Sequence, residues 1–193
     1  MELLLGAGNS RDKRIRFSGV PDTWTELVTL DVDESLAVNV HHDLRNLPLP
    51  FGDDTFHEIH AYEVLEHCGQ QGDWRLFFNQ FNEFHRILKP GGYFCGTVPM
   101  WDSHWAWGDP GHTRVLTRYS FIYLSQKEYE FQVGKNSISD YRGVYQGDFE
   151  TIGINESEHQ LGFILRCLKG GVEPMCKVIA PSDPVTTTQL KSE

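Results

Sequence analysis

Two glycines spaced by one residue, a set of carboxylates at the ends of apolar runs, and a few histidines carry whatever chemistry this 193-residue chain performs. Gly6-Ala7-Gly8 follows the apolar run Leu3 to Leu5, so the backbone there can approach a ligand closely and turn its amides toward an anion or carboxylate. Asp31 lies 25 positions after Gly6, at the end of the next apolar run, where a carboxylate can accept both hydroxyls of a ribose. Asp43, within His42-Asp43-Leu44, suits an exocyclic amine such as adenine's, and equally suits a turn or cap. Glu63, Glu66 and His67 close a β-branched and aromatic run from Phe56 to Val64. If an acceptor must lose a proton, His67, His104, His112 and Asp109 are the general-base candidates. His67 serves as well to cap the loop that follows. Asp109-Pro-Gly-His112 is either a substrate contact or a hydrogen-bonded turn.

The elements that must position these residues are legible in the spacing. Trp74, Phe77, Phe78, Phe81, Phe84 and Leu88 recur at gaps of three and four, which draws one apolar stripe on a helix. Pro90-Gly91-Gly92 ends it, and Tyr93 to Met100 reads as a strand. Strand, polar turn, helix and strand form a right-handed crossover with parallel strands. Ligands of such sheets bind beyond the carboxyl ends of the strands, where Glu63, Glu66 and His67 fall. Further strands are expected at Leu3–Leu5, Leu27–Val32 and Val38–Val40, and the basic segment Arg11 to Gly19 predicts a short or irregular helix. Thr117 to Glu130 predicts a helix, and Tyr141–Ile154 with His159–Leu168 a closing antiparallel hairpin. Trp101 to Thr113 is a long loop with three tryptophans, at 101, 105 and 107: a lid, an acceptor platform, a satellite cluster or a dimer surface.

The composition excludes some functions. A net charge of -10, from 17 Lys+Arg against 27 Asp+Glu, lacks the basic footprint of nucleic-acid binding, so such partners are disfavoured. No apolar run reaches the roughly 20 residues that span a bilayer, and no charged segment precedes the first apolar run. The four cysteines, Cys68, Cys95, Cys167 and Cys176, form no C-x-x-C pair and are expected to be reduced thiols in a cytoplasmic protein. One domain over residues 1–171 and a flexible tail over 172–193 are expected.

Taken together, Leu5-Gly-Ala-Gly-Asn9, Asp31, His42-Asp-Leu44, Tyr62-Glu-Val-Leu-Glu-His67 and Leu88-Lys-Pro-Gly-Gly92 resemble class I S-adenosylmethionine-dependent methyltransferases over residues 2–100. The resemblance implies a Rossmann-like α/β fold: seven strands, mostly parallel with one antiparallel, helices on both faces, and a truncated N-terminal helical region. It implies S-adenosyl-L-methionine as cofactor. Leu5, Gly6, Ala7, Gly8 and Asn9 would form the turn against its methionine part. Asp31 with Val32 would meet the ribose, and Asp43 with Leu44 the adenine. Tyr62, Glu63 and Val64 would line the floor beneath the sulfonium. His67, Asp109 and His112 would face the acceptor. Two departures stand out. Leu4 occupies the place of an acidic residue often found two positions before the first glycine, and the chain starts at its first strand. The second leaves a side of the site to be covered by another subunit, as in a homo-oligomer, or by the 101–113 loop.

No Asn/Asp-Pro-Pro-aromatic follows the fourth strand, and no Pro-Cys pair is present, which removes the signatures of amine- and cytosine-methylating nucleic-acid enzymes. A small-molecule acceptor is the expectation. The rivals are a non-catalytic S-adenosylmethionine- or nucleotide-binding regulatory module and a nicotinamide-dependent oxidoreductase. The latter is opposed by Arg11, which stands where the third glycine of a dinucleotide fingerprint belongs.

Overall fold

A computed structural model of the chain describes residues 1–173. From residue 174 on, the expected tail lies outside the described residues, as does Cys176. The seven strands are β1 (Glu2–Leu5), β2 (Leu27–Asp31), β3 (Val40–His41), β4 (Phe56–Tyr62), β5 (Leu88–Pro99), β6 (Phe149–Glu156) and β7 (Gln160–Cys167). They form one sheet in the order β3-β2-β1-β4-β5-β7-β6. β1 to β5 pair in parallel, and β7 runs antiparallel to both of its neighbours. Leu5 pairs with Leu30 on one side and Ala61 on the other, so the residues after these strands emerge at one edge of the sheet.

The expected crossover is present. Helix α1 (Trp74–Ile87) begins at Asp73, whose carboxylate accepts the Leu76 amide at 3.1 Å, and buries Phe78, Phe81, Phe84 and Ile87. The strand after it starts earlier than Tyr93. Leu88 already has an extended backbone and pairs with Phe56, and the Pro90-Gly-Gly92 stretch becomes an irregularity inside β5. Only glycine fits at 92, because a Cβ would lie 2.8 Å from the His57 carbonyl. β3 begins at Val40 rather than Val38, since the Asn39 side chain takes the Thr29 amide and hydroxyl where a ladder would run. The helix expected over 117–130 is broken at Ser125 into a 3-10 turn (Arg118–Leu124) and, after the short α2 (His104–Gly108) of the tryptophan loop, the third helix α3 (Gln126–Gln132). Ser125 is extended and caps α3 by accepting the Glu128 amide.

Among the described residues α1 and α3 pack on one face. One face carries a continuous apolar core in which α1, the 3-10 turn and α3 pack on Leu3, Leu5, Ile59, Phe94 and Phe163. Across the other face, around Leu4, Tyr62, Cys95 and Ile164, runs the chain between β1 and β2. That chain contains no helix at all, short or otherwise. Long-range polar contacts hold it instead. Lys13, 6 % exposed, meets Glu58 at 2.8 Å and donates to the Pro21 carbonyl. The Tyr62 hydroxyl accepts the Arg14 and Ile15 amides and donates to His60 Nδ1 at 2.6 Å, while His60 Nε2 donates to Glu58. Glu2 accepts the amides of Thr25 and Glu26.

Candidate functional site

The glycine turn and the second strand close on each other. Gly6 and Gly8 have φ of 56° and 52°, in the left-handed region that glycine alone adopts freely. The Gly8 amide donates to Asp31 Oδ2 at 2.9 Å, and the Asp33 amide to Oδ1. A Cβ at position 6 would collide with the Val64 methyl groups. Leu5, Gly6, Ala7, Gly8, Asn9, Asp31, Val32 and Val64 are thus gathered at one edge of the sheet, with Asn9 exposed and Val32 61 % exposed. Arg11, which stands in place of a third glycine, ties the turn to the loop after β2, because its guanidinium donates to the Gly8, Ser10 and Ala37 carbonyls.

Asp43 follows β3 at the same edge, but its carboxylate is taken by Arg45 through contacts of 2.6 to 3.0 Å. That guanidinium holds it below the usual carboxylate range. Leu44 is buried in the core, and its carbonyl accepts from Gln80. Of the residues expected in the floor, Tyr62 points its ring to the helix-free face, where its hydroxyl is used as above. Period-two alternation along β4 demands this, since Ala61 faces the helices. Glu63 bends the chain at that point. Its φ of 56° is unusual for a residue with a side chain, and it is held by its amide on the Thr97 carbonyl and by Gln160 donating to its carboxylate.

A second cluster sits beyond β4. Glu66 and His67 lie in a 3-10 turn (Leu65–His67), and the Thr113 and Arg114 amides both donate to the Glu66 carbonyl, which brings the 109–113 loop alongside. His67 Nδ1 donates to the Gly111 carbonyl at 3.0 Å, so it does tie down a loop, with Nε2 left unused in that bond. Asp109 accepts the Gly111 amide, as a turn would have it, and its other oxygen is 3.7 Å from His112 Nε2. The His67 and His112 rings meet edge to face at 4.5 Å. His104 lies elsewhere, against Trp105 and His159. Trp101, Trp105 and Trp107 are all more than half exposed.

Glu66 itself is the residue the sequence undervalued. It is 2 % exposed, and neither of its carboxyl oxygens has a hydrogen-bond partner among the described residues. Burial, with repulsion from Glu63 and Asp109, pushes its pKa up to about 8. Arg114, whose amide bonds to the Glu66 carbonyl, stands at the edge of a cavity of about 380 Å³ with aromatic walls that include Trp74, Phe77, Tyr123 and Tyr141. The buried Arg114 guanidinium gives one nitrogen to Gln80 and has another without a partner among the described residues.

Comparison with known proteins locates this arrangement. Residues 21–96 match the methyltransferase domain family. No curated protein sequence matches the chain. The fold is similar to that of YcgJ from Bacillus subtilis, at 15% identity and a TM-score of 0.53 over 88% of this chain and 92% of that one. It is similar to an S-adenosylmethionine-dependent methyltransferase from Archaeoglobus fulgidus, at 13% identity and a TM-score of 0.51 over 86% and 85% of the two chains. A phosphoethanolamine N-methyltransferase of Haemonchus contortus, solved with phosphoethanolamine and S-adenosylhomocysteine, aligns at 11% identity with a TM-score of 0.54 over 91% of this chain and 40% of its own.

Proposed function

We propose, for a chain with the class I fold of S-adenosylmethionine-dependent methyltransferases and a methyltransferase-domain match, direct transfer of the methyl group from S-adenosylmethionine to a small-molecule acceptor. The observation that carries this reading is the convergence of the glycine turn, Asp31 and the Glu63-Val64 corner at one sheet edge, with Gly8 bonded to Asp31. In this reading Gly6 to Asn9 receive the methionine part of the cofactor and Asp31 the ribose hydroxyls. Val32 stands beside Asp31 at the ribose, and Asp43 turns from Arg45 to the ring amine of the adenine, backed by the buried Leu44. The sulfonium is a potent electrophile, so in-line positioning and exclusion of water supply most of the rate. The acceptor approaches from the His67, Asp109 and His112 side, and the aromatic cavity that Arg114 lines would give a small molecule room. Among the described residues no helix is long and apolar enough to cross a membrane.

Calorimetry with S-adenosylmethionine and, separately, with NAD tests the cofactor assignment. Binding of S-adenosylmethionine alone is expected, and Asp31→Ala should weaken it by about 1–3 kcal/mol through loss of charge-assisted hydrogen bonds. Binding of NAD alone would overturn the assignment, and unchanged affinity in the variant would move the ribose elsewhere. Label from methyl-labelled cofactor that never reaches any acceptor in fractionated extract would favour a non-catalytic binding module.

A further inference from the structure

We propose that Glu66, His67 and His112 bind a divalent transition-metal ion. Each offers one donor atom, and the three atoms lie within 4.8 Å of one another. His112 Nε2 is 4.0 Å from Glu66 Oε1, against the roughly 3.4 Å between neighbouring ligands of a tetrahedral ion at bonds of about 2.1 Å. Side-chain rotation can close that difference. The chemistry of the donors argues that they want a cation. A buried carboxyl that receives no hydrogen bond from the described residues and faces a second carboxyl, that of Glu63, is costly unless a cation pairs with it. Glu63 and Asp109 add further negative charge around it, and the imidazole of His112 comes within 4.0 Å of one of its oxygens.

The supporting contacts orient one of the two histidines and fix the loop that carries the other. A carbonyl can only accept, so the bond to Gly111 places the His67 proton on Nδ1 and leaves a lone pair on Nε2. Such a bond through the other ring nitrogen is the usual way a ligating histidine is oriented. Backbone bonds from Thr113 and Arg114 to the Glu66 carbonyl fix the loop that carries His112 against the turn that carries Glu66 and His67. Exposure of the His67 ring gives an ion its way in. Two imidazoles and a carboxylate, with no thiolate, favour ions such as Zn²⁺, Co²⁺ or Fe²⁺ over Mg²⁺ or Ca²⁺. Cys68 does not join them, since its thiol donates to the Val64 carbonyl. Three protein donors leave a position open for Asp109 or for an oxygen of a bound molecule.

Metal binding of this kind goes beyond methyl transfer and does not need it, because it can be measured without cofactor. The untagged full chain is titrated with Co²⁺ and followed by visible d–d absorption, with Zn²⁺ as competitor. One ion per chain is expected, displaced by Zn²⁺, with affinity lowered at least about 10-fold in Glu66→Gln and His112→Ala. His104→Ala, outside the cluster, should bind as the parent does. Zn²⁺ should also raise the unfolding temperature of the parent chain and not that of His112→Ala. A parent chain that shows no saturable Co²⁺ spectrum, or a spectrum that survives in both cluster variants, would overturn the proposal. Neither result touches the calorimetry with S-adenosylmethionine, so the two readings fail separately.

Discussion

The two faces of the sheet solve the same problem with different physics. On the helical face, α1, α3 and a 3-10 turn present aromatic side chains to Leu3, Ile59, Phe94 and Phe163, and contact is non-directional. On the other face a stretch with no regular structure crosses the strands, and its backbone is held by Glu2, Lys13, Glu58, His60 and Tyr62. The first face therefore depends on volume and the second on partners. A helix satisfies its own amides, whereas an irregular segment must find acceptors elsewhere. Here the strands supply them.

Substitutions can pull the two modes apart. Phe81→Ala removes a fully buried ring from the middle of the aromatic core and should destabilise the fold by about 4 kcal/mol in urea unfolding. A loss nearer 1 kcal/mol would mean that the helical face collapses around cavities and is not as volume-sensitive as drawn. Lys13→Met leaves the Glu58 carboxylate buried without its cation, for an expected loss of about 3 kcal/mol. Adding Glu58→Gln should recover part of that loss, because the stranded charge disappears and His60 keeps an acceptor. Strict additivity of the two changes would contradict a face built on paired groups.

Acid offers the mildest probe. Burial lowers the His60 pKa from its ordinary 6.5, so the native state holds it neutral. Below about pH 6.5 the unfolded chain binds that proton and the folded one resists it, so stability falls as pH drops. For Glu58, burial alone would raise the pKa, but the bonds from His60 and Lys13 more than offset it and the net shift is downward. Glu2 follows the same pattern through Thr25 and Glu26. Their contribution is present above the ordinary carboxylate pKa and is lost as pH falls through the depressed values. Both effects have one sign. Protection of the Arg14 and Ile15 amides, taken as the ratio of intrinsic to observed exchange rate, should therefore fall on acidification before protection in α1 does. Simultaneous loss of protection on both faces would merge them into one unit.

How much of this was legible follows the same division. The stripe from Trp74 to Phe84 located α1 because local periodicity alone specifies an amphipathic helix. Strand ends, and with them the gathering of the glycine turn, Asp31 and Glu63, followed from short apolar runs and parallel order. The Arg11–Gly19 stretch gave only the absence of a pattern. Its partners, Glu58 and Tyr62, lie more than forty residues away, a distance over which residue spacing carries no signal. Arg11 was readable only as a missing glycine, since nothing local shows its guanidinium reaching back to three carbonyls. Tyr62 was within reach: strict alternation from Ile59 and Ala61 already sends its ring to the opposite side. Glu66 was visible as one of a polar pair, yet its burial depends on the loop bearing His112, which only the folded chain brings near.

The seat of the Val64 methyl groups over Gly6 has a bearing on how the chain can diversify. The two positions share a single parcel of space, so a side chain at 6 would need a smaller residue at 64, and the left-handed φ at 6 would penalise it even then. Any drift in the glycine turn is thus chained to the residue two places beyond the end of β4.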